Sequence, residues 1–145
     1  MTASAWGSDV SGARLCQRRR LTWAETDASG HQHFSAAVRW LEEAEQALWR
    51  GLGLVEFVRR VPRVHLVINY RRPLWFDEEL VVTVGVVSVG VTSCRLSFEV
   101  RTADTDVLAV TGEYVVAHAP EVTAGAQPWP DAVRARLTDP ALMFG

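Results

Sequence analysis

Asp27, His31 and His33 lie close together in Trp23-Ala24-Glu25-Thr26-Asp27-Ala28-Ser29-Gly30-His31-Gln32-His33-Phe34. Carboxylates and imidazoles are side chains that give and take protons in catalysis. Gly30 lets the chain turn sharply between them. The residues that follow read as a helix, so the turn is aimed at a helix N-terminus. The first N–H groups of a helix lack partners within it, and its dipole favours negative charge there. A carboxylate beside such donors can attack a carbonyl carbon or activate a water, while the donors hold the oxyanion that develops. Hydrolysis of an ester or thioester suits these residues, although a binding site can be made of the same parts.

Each candidate also has a plainer use. Asp27 can cap the turn or the helix. His31 can bond to the backbone of its turn, which leaves His33 the better placed to reach a substrate. His31 and His33 would face one side if extended. No nearby Cys joins them, and Ala37 stands where a suitably spaced Glu would be needed. Catalytic zinc normally takes three protein ligands, so no metal and no cofactor are expected. Glu42 and Glu43 lie on the helix, where solvation or pairing to Arg is expected.

Composition narrows the classes further. The chain has 145 residues, 48% of them hydrophobic, which suits one domain with a single core. Its 15 basic residues are all Arg, against 17 acidic ones, for a net charge of −2. Nucleic acid is not favoured as a partner. The absence of Lys excludes a Schiff-base mechanism. No apolar run is long enough to span a membrane, and a cytoplasmic location is expected. Cys16 and Cys94, both in expected strands, read as buried free thiols.

The elements that position the turn follow from periodicity. Residues 16–24 read as a first strand. Ser35 is the expected N-cap of a helix over about 36–52. Val38, Leu41, Ala44, Leu48 and Leu52 mark its buried face, widened by Trp40, Ala47 and Gly51. Glu42, Glu43, Glu45, Gln46 and Arg50 lie mainly elsewhere. A short turn over 54–59 precedes Pro62. Strands follow at about 64–72, 79–89, 93–102 and 107–118, the last three joined by short links and so antiparallel. Asp131 to Leu137 is a short helical candidate. The expected organisation is a flexible tail over 1–15, one domain over 16–119 and a C-terminal extension over 120–145. The helix must bury its apolar face on the sheet, so the sheet should wrap it. Strands 64–72 and 80–89 are apolar on both faces, more than one helix can cover, so an oligomer is expected.

Four blocks of the sequence resemble the hotdog-fold acyl-thioester hydrolases, the type that includes 4-hydroxybenzoyl-coenzyme A thioesterase. They are Asp27-Ala28-Ser29-Gly30-His31, Trp40-Leu41-Glu42-Glu43-Ala44, Tyr70 to Leu80, and Val89-Gly90-Val91-Thr92-Ser93. The resemblance covers about residues 18–118. It implies an α+β fold in which five or six antiparallel strands wrap one long central helix. It implies a homodimer or homotetramer with active sites at the subunit interface, acting on an acyl-coenzyme A or acyl-carrier-protein thioester. Asp27 stands at the family's catalytic carboxylate. Phe34 stands where the family uses a backbone N–H to polarise the carbonyl. Gly30, His31 and His33 become candidate substrate contacts, with Asn69 and Ser93 reaching the pocket from the partner subunit. Arg71 and Arg72, with Arg95 further off, are candidates for the phosphates of coenzyme A. Trp40, Trp75 and Phe76 are candidates for an acyl pocket. His33-Phe34-Ser35-Ala36 departs from the usual sequence after the turn, so substrate contacts do not carry over there. Two rivals remain: a hotdog hydratase or dehydratase, and a non-catalytic acyl-binding protein.

Overall fold

A computed structural model describes residues 9–121 and 123–145. Its six-stranded open sheet has the order β2-β5-β4-β3-β1-β6. The strands are β1 (Arg14–Arg20), β2 (Arg63–Tyr70), β3 (Glu79–Val89), β4 (Ser93–Thr102), β5 (Leu108–Ala117) and β6 (Met143–Phe144). The helices are α1 (Ala36–Gly51) and α2 (Asp131–Leu137). The β3–β4, β4–β5, β2–β5 and β1–β3 pairs are antiparallel, and β6 runs parallel to β1. The architecture is the expected α+β hotdog arrangement.

Alternation along the strands decides which side faces the helix. Leu80, Val82, Val84 and Val86 of β3 lie opposite Thr102, Val100, Phe98 and Leu96 of β4 on the inner face. Val110, Tyr114 and Val116 continue that face on β5. Against it α1 buries Ala36, Ala37, Trp40, Leu41, Ala44, Leu48 and Trp49. Removing this apolar surface from water is the main force holding helix to sheet.

Several boundaries differ from expectation for identifiable reasons. The first strand ends at Arg20 rather than residue 24, because Trp23–Glu25 forms a 3-10 turn. The Glu25 carboxylate closes that turn by accepting the Thr22 N–H at 3.0 Å. Part of the expected tail is folded. The N–H groups of Ser11 and Gly12 donate to the Val86 carbonyl, and Ala13 is fully buried. Residues 1–8 lie outside the described residues.

The C-terminal segment is part of the core rather than an appendage. Trp129, Val133 and Leu137 recur every fourth residue, and all three are buried. Phe144 closes over the end of α1, where a Cβ on Gly51 would come within 2.7 Å of its ring.

Two buried carboxylates were not expected as such. Glu45 is buried on α1, where Arg63 and the Trp49 indole bond to it. Glu25 is buried at the head of the Asp27 turn. Cys16 and Cys94 are free and buried. Burial pushes the Cys94 thiol up to about 12, and it raises Cys16 as well.

Candidate active site

The turn around Asp27 is a small hairpin tied at every rung. Thr26 and Gln32 face each other as an antiparallel bridge. The Asp27 N–H donates to the His31 carbonyl at 2.8 Å, and the His33 N–H to the Glu25 carbonyl at 2.7 Å. The Gln32 N–H ties the hairpin to Leu74 at 2.7 Å. Gly30 has φ +86°, a conformation that would strain any residue with a Cβ.

Glu25 holds the base of this hairpin. Besides Thr22, its carboxylate accepts the Arg19 guanidinium at 2.7 Å and the Trp40 indole N–H at 2.8 Å. Burial alone would raise its pKa, but these donors and the Arg19 charge outweigh burial and lower it. Glu25 does not stand out by residue type alone. The available signal was a Thr22-X-X-Glu25 spacing typical of a capping box.

Asp27 itself is exposed. The Ser29 hydroxyl donates to its Oδ1, and the Ser29 N–H donates to the same oxygen at 2.8 Å. These two bonds hold its carboxyl below the ordinary range. Oδ2 has no partner among the described residues. The Ser29 hydroxyl also lies 3.0 Å from His31 Nδ1. The His31 ring meets Trp75 edge-on, with centroids 4.0 Å apart.

Ser35 does not cap α1. Its backbone is already helical, and its hydroxyl lies 2.7 Å from His33 Nδ1. The Ser35 N–H donates to that same nitrogen at 3.2 Å. His33 therefore does the capping, so Nδ1 carries the lone pair. It is not among the residues that line the cleft.

Phe34 is exposed at the helix entrance, and its N–H has no acceptor among the described residues. Its carbonyl accepts the Tyr70 hydroxyl, which fixes the direction of this peptide. Asp27, His31, Gln32 and Phe34 form one wall of a cleft of about 390 Å³. Tyr70, Arg71, Arg72 and Pro73 form the other. In sequence Tyr70 is only part of a motif, since its contact with Phe34 crosses elements.

Other candidates sit elsewhere within one subunit. Asn69 borders a depression on the outer side of the sheet, with His65, Thr111 and Glu113. Ser93 opens β4, where its carbonyl accepts the Trp129 indole. Arg95 pairs with Glu113. Trp40 is fully buried and offers no pocket surface, whereas Trp75 and Phe76 are about half exposed. Of the Arg run, Arg18 pairs with Glu79, Arg19 with Glu25 and Glu43, and Arg20 with Asp77. Among the described residues no three His, Cys, Asp or Glu side chains are grouped to hold a metal ion.

An exposed carboxylate and an unpaired N–H at a helix start thus line one cleft of a six-stranded hotdog fold. The model of the thioesterase-like superfamily matches residues 21–137. The chain belongs to that superfamily. This thioester hydrolase is similar in structure to Slr0204 from Synechocystis, a 1,4-dihydroxy-2-naphthoyl-CoA thioesterase. The TM-score is 0.81 at 16% identity, covering 89% of this chain and 98% of that one. It is similar to the gentisyl-coenzyme A thioesterase BH1999, with TM-score 0.74, 19% identity and coverage of 86% and 99%. It is also similar to SAV2348 from Staphylococcus aureus, solved in complex with CoA, with TM-score 0.77, 14% identity and coverage of 90% and 85%. No curated protein matches the sequence. No described helix of the thioesterase is long and apolar enough to cross a membrane.

Proposed function

We propose that this thioester hydrolase acts on an acyl-coenzyme A, with Asp27 as its catalytic carboxylate and the Phe34 N–H as its oxyanion donor. One observation carries the reading: Asp27 and the unpaired Phe34 N–H share a cleft with Arg71 and Arg72. Asp27 Oδ2 takes a proton from water, and the water oxygen attacks the thioester carbon. Negative charge then gathers on the carbonyl oxygen, where the N–H and the helix dipole stabilise it. Collapse breaks the carbon–sulfur bond. The lowered pKa of Asp27 keeps it ionised and ready.

Coenzyme A is the favoured thiol carrier because the cleft offers positive charge. Arg71 is exposed with no ion-pair partner among the described residues. Arg72 is half-buried and reaches Glu78 only at 3.8 Å. Guanidinium groups suit phosphates. Two similar structures are named for aryl-CoA substrates and one was solved with CoA. Gly30 and His31 are the proposed substrate contacts from the turn.

The functional unit is proposed as a homodimer through β2, a free sheet edge on which Val64, Val67 and Tyr70 are exposed. Asn69 and Ser93 would contribute only from the partner subunit. A solution mass near one 16.1 kDa chain at micromolar concentration would refute the dimer. Substrate class is tested by timing thiol release from matched acyl-CoA and acyl-carrier-protein thioesters. Faster turnover of the carrier-protein ester would overturn the coenzyme A assignment. Loss of enoyl absorbance without thiol release would point to a hydratase.

A further inference from the structure

The proton that Asp27 takes from water and the proton that the leaving sulfur needs can be carried by separate groups. Hydrolysis moves one proton from water to Asp27, while the bond that breaks leaves a thiolate. An alkyl thiolate is a poorer leaving group than an aryl thiolate, because its conjugate acid is weaker. A proton supplied as the carbon–sulfur bond breaks would remove that penalty.

The cleft holds one side chain suited to this. His31 lines it, and its ring is fixed on two sides. Trp75 meets it edge-on, at 75° between planes. Ser29 Oγ lies 3.0 Å from Nδ1 and also donates to Asp27 Oδ1. In an imidazolium both ring nitrogens are donors. Nδ1–H then donates to Ser29, Ser29 donates to the carboxylate, and Nε2–H is left without a partner among the described residues. The other imidazole, His33, is committed to Ser35 and does not line the cleft.

We propose that His31 is the acid that protonates the departing thiolate, and that Ser29 is the positioning residue that holds its ring beside Asp27. The proposal rests on the Asp27 reading above. In the step, the His31 Nε2–H bond breaks as the sulfur–hydrogen bond forms, and the carbon–sulfur pair stays on sulfur. Asp27 holds the proton taken from water. Both groups are open to solvent, so Asp27 loses its proton there and His31 regains one.

The test uses one acyl group on two thiols. One is a short alkyl thiol without a nucleotide, so that coenzyme A contacts play no part. The other is thiophenol, which leaves without help. His31→Ala and His31→Gln should cut kcat on the alkyl ester by about 10²-fold, the usual scale for a lost general acid, and on the aryl ester by much less. Ser29→Ala should shift the two esters in the same direction by roughly a tenth as much, and Ser29→Thr should restore the rate. Equal loss on both esters, or no loss on either, overturns the proposal. Asp27→Asn should slow both esters together. If it slows neither, the carboxylate reading itself falls. If it slows both while the His31 variants show no difference between thiols, only the present proposal falls.

Discussion

At the C-terminal end of α1, Trp49 stacks with Phe57 and Trp129, and Trp129 stacks with His118 at 4.9 Å. Glu45 is matched there by Arg63, whose guanidinium also lies 5.0 Å above the Tyr114 ring. At the N-terminal end, Trp23, Phe34, Trp75 and Phe76 stand in solvent, and the Phe34 N–H has no acceptor among the described residues. The same helix thus ends once in a sealed aromatic stack and once in an open cleft. Large rings are packed away from water where the fold needs rigidity, and the Phe34 N–H is left unpartnered where a substrate can complete it.

Changing the sealed end should cost stability and leave chemistry alone. Trp129→Ala removes a buried ring and its bond to Ser93, and about 3–5 kcal/mol of unfolding free energy should be lost, measured by denaturant titration. Turnover per folded molecule should be unchanged. A matched fall in turnover would break the division between the two ends.

The converse change is Asp27→Asn. Its carboxylate is exposed, so the melting temperature should hold, while kcat falls on the order of 10²-fold or more. A folded variant with parental turnover would remove Asp27 from catalysis.

Glu25 sits on the boundary, and its replacement sharpens where that boundary lies. Glu25→Gln should destabilise by about 1–3 kcal/mol at neutral pH and also lower kcat by loosening the hairpin. The Glu25 carboxyl titrates below its ordinary value of about 4.3. Its contribution is therefore full above that pH, and is lost as pH falls through the lower folded value. Melting curves of the parent should fall away below about pH 4.3 more steeply than those of Glu25→Gln. Parallel curves would mean that Glu25 adds no charge-dependent stability.

The smallest effect is expected at Arg71. Arg71→Ala should raise KM for an acyl-CoA by a few fold, roughly 1 kcal/mol as for an exposed charge contact, with kcat unchanged. An equal KM with and without the nucleotide on the thiol would detach Arg71 from coenzyme A.

Local periodicity made the long elements readable. The spacing of Leu41, Ala44 and Leu48 marked α1, and β3 and β4 were bounded to the residue. What escaped depends on partners that periodicity does not show. Glu45 reads as a solvent-side glutamate until Arg63 arrives from β2. Ser35 reads as a cap until the neighbouring His33 takes its N–H. Val133 and Leu137 stand one turn apart on α2 and Trp129 precedes it, but the shortness of the element hid how much core it covers. At the proposed site, Asp27, Phe34, Arg71 and Arg72 are motif positions. The roles of Tyr70 and Ser29 were not legible, because they are contacts rather than spacings.

The two free thiols give the protein a practical transparency. Cys16 and Cys94 are buried, and both are held in the protonated, unreactive form. A thiol-reactive chromophore added to the native protein should therefore stay colourless until substrate is supplied. Each equivalent of colour would then count one thioester cleaved.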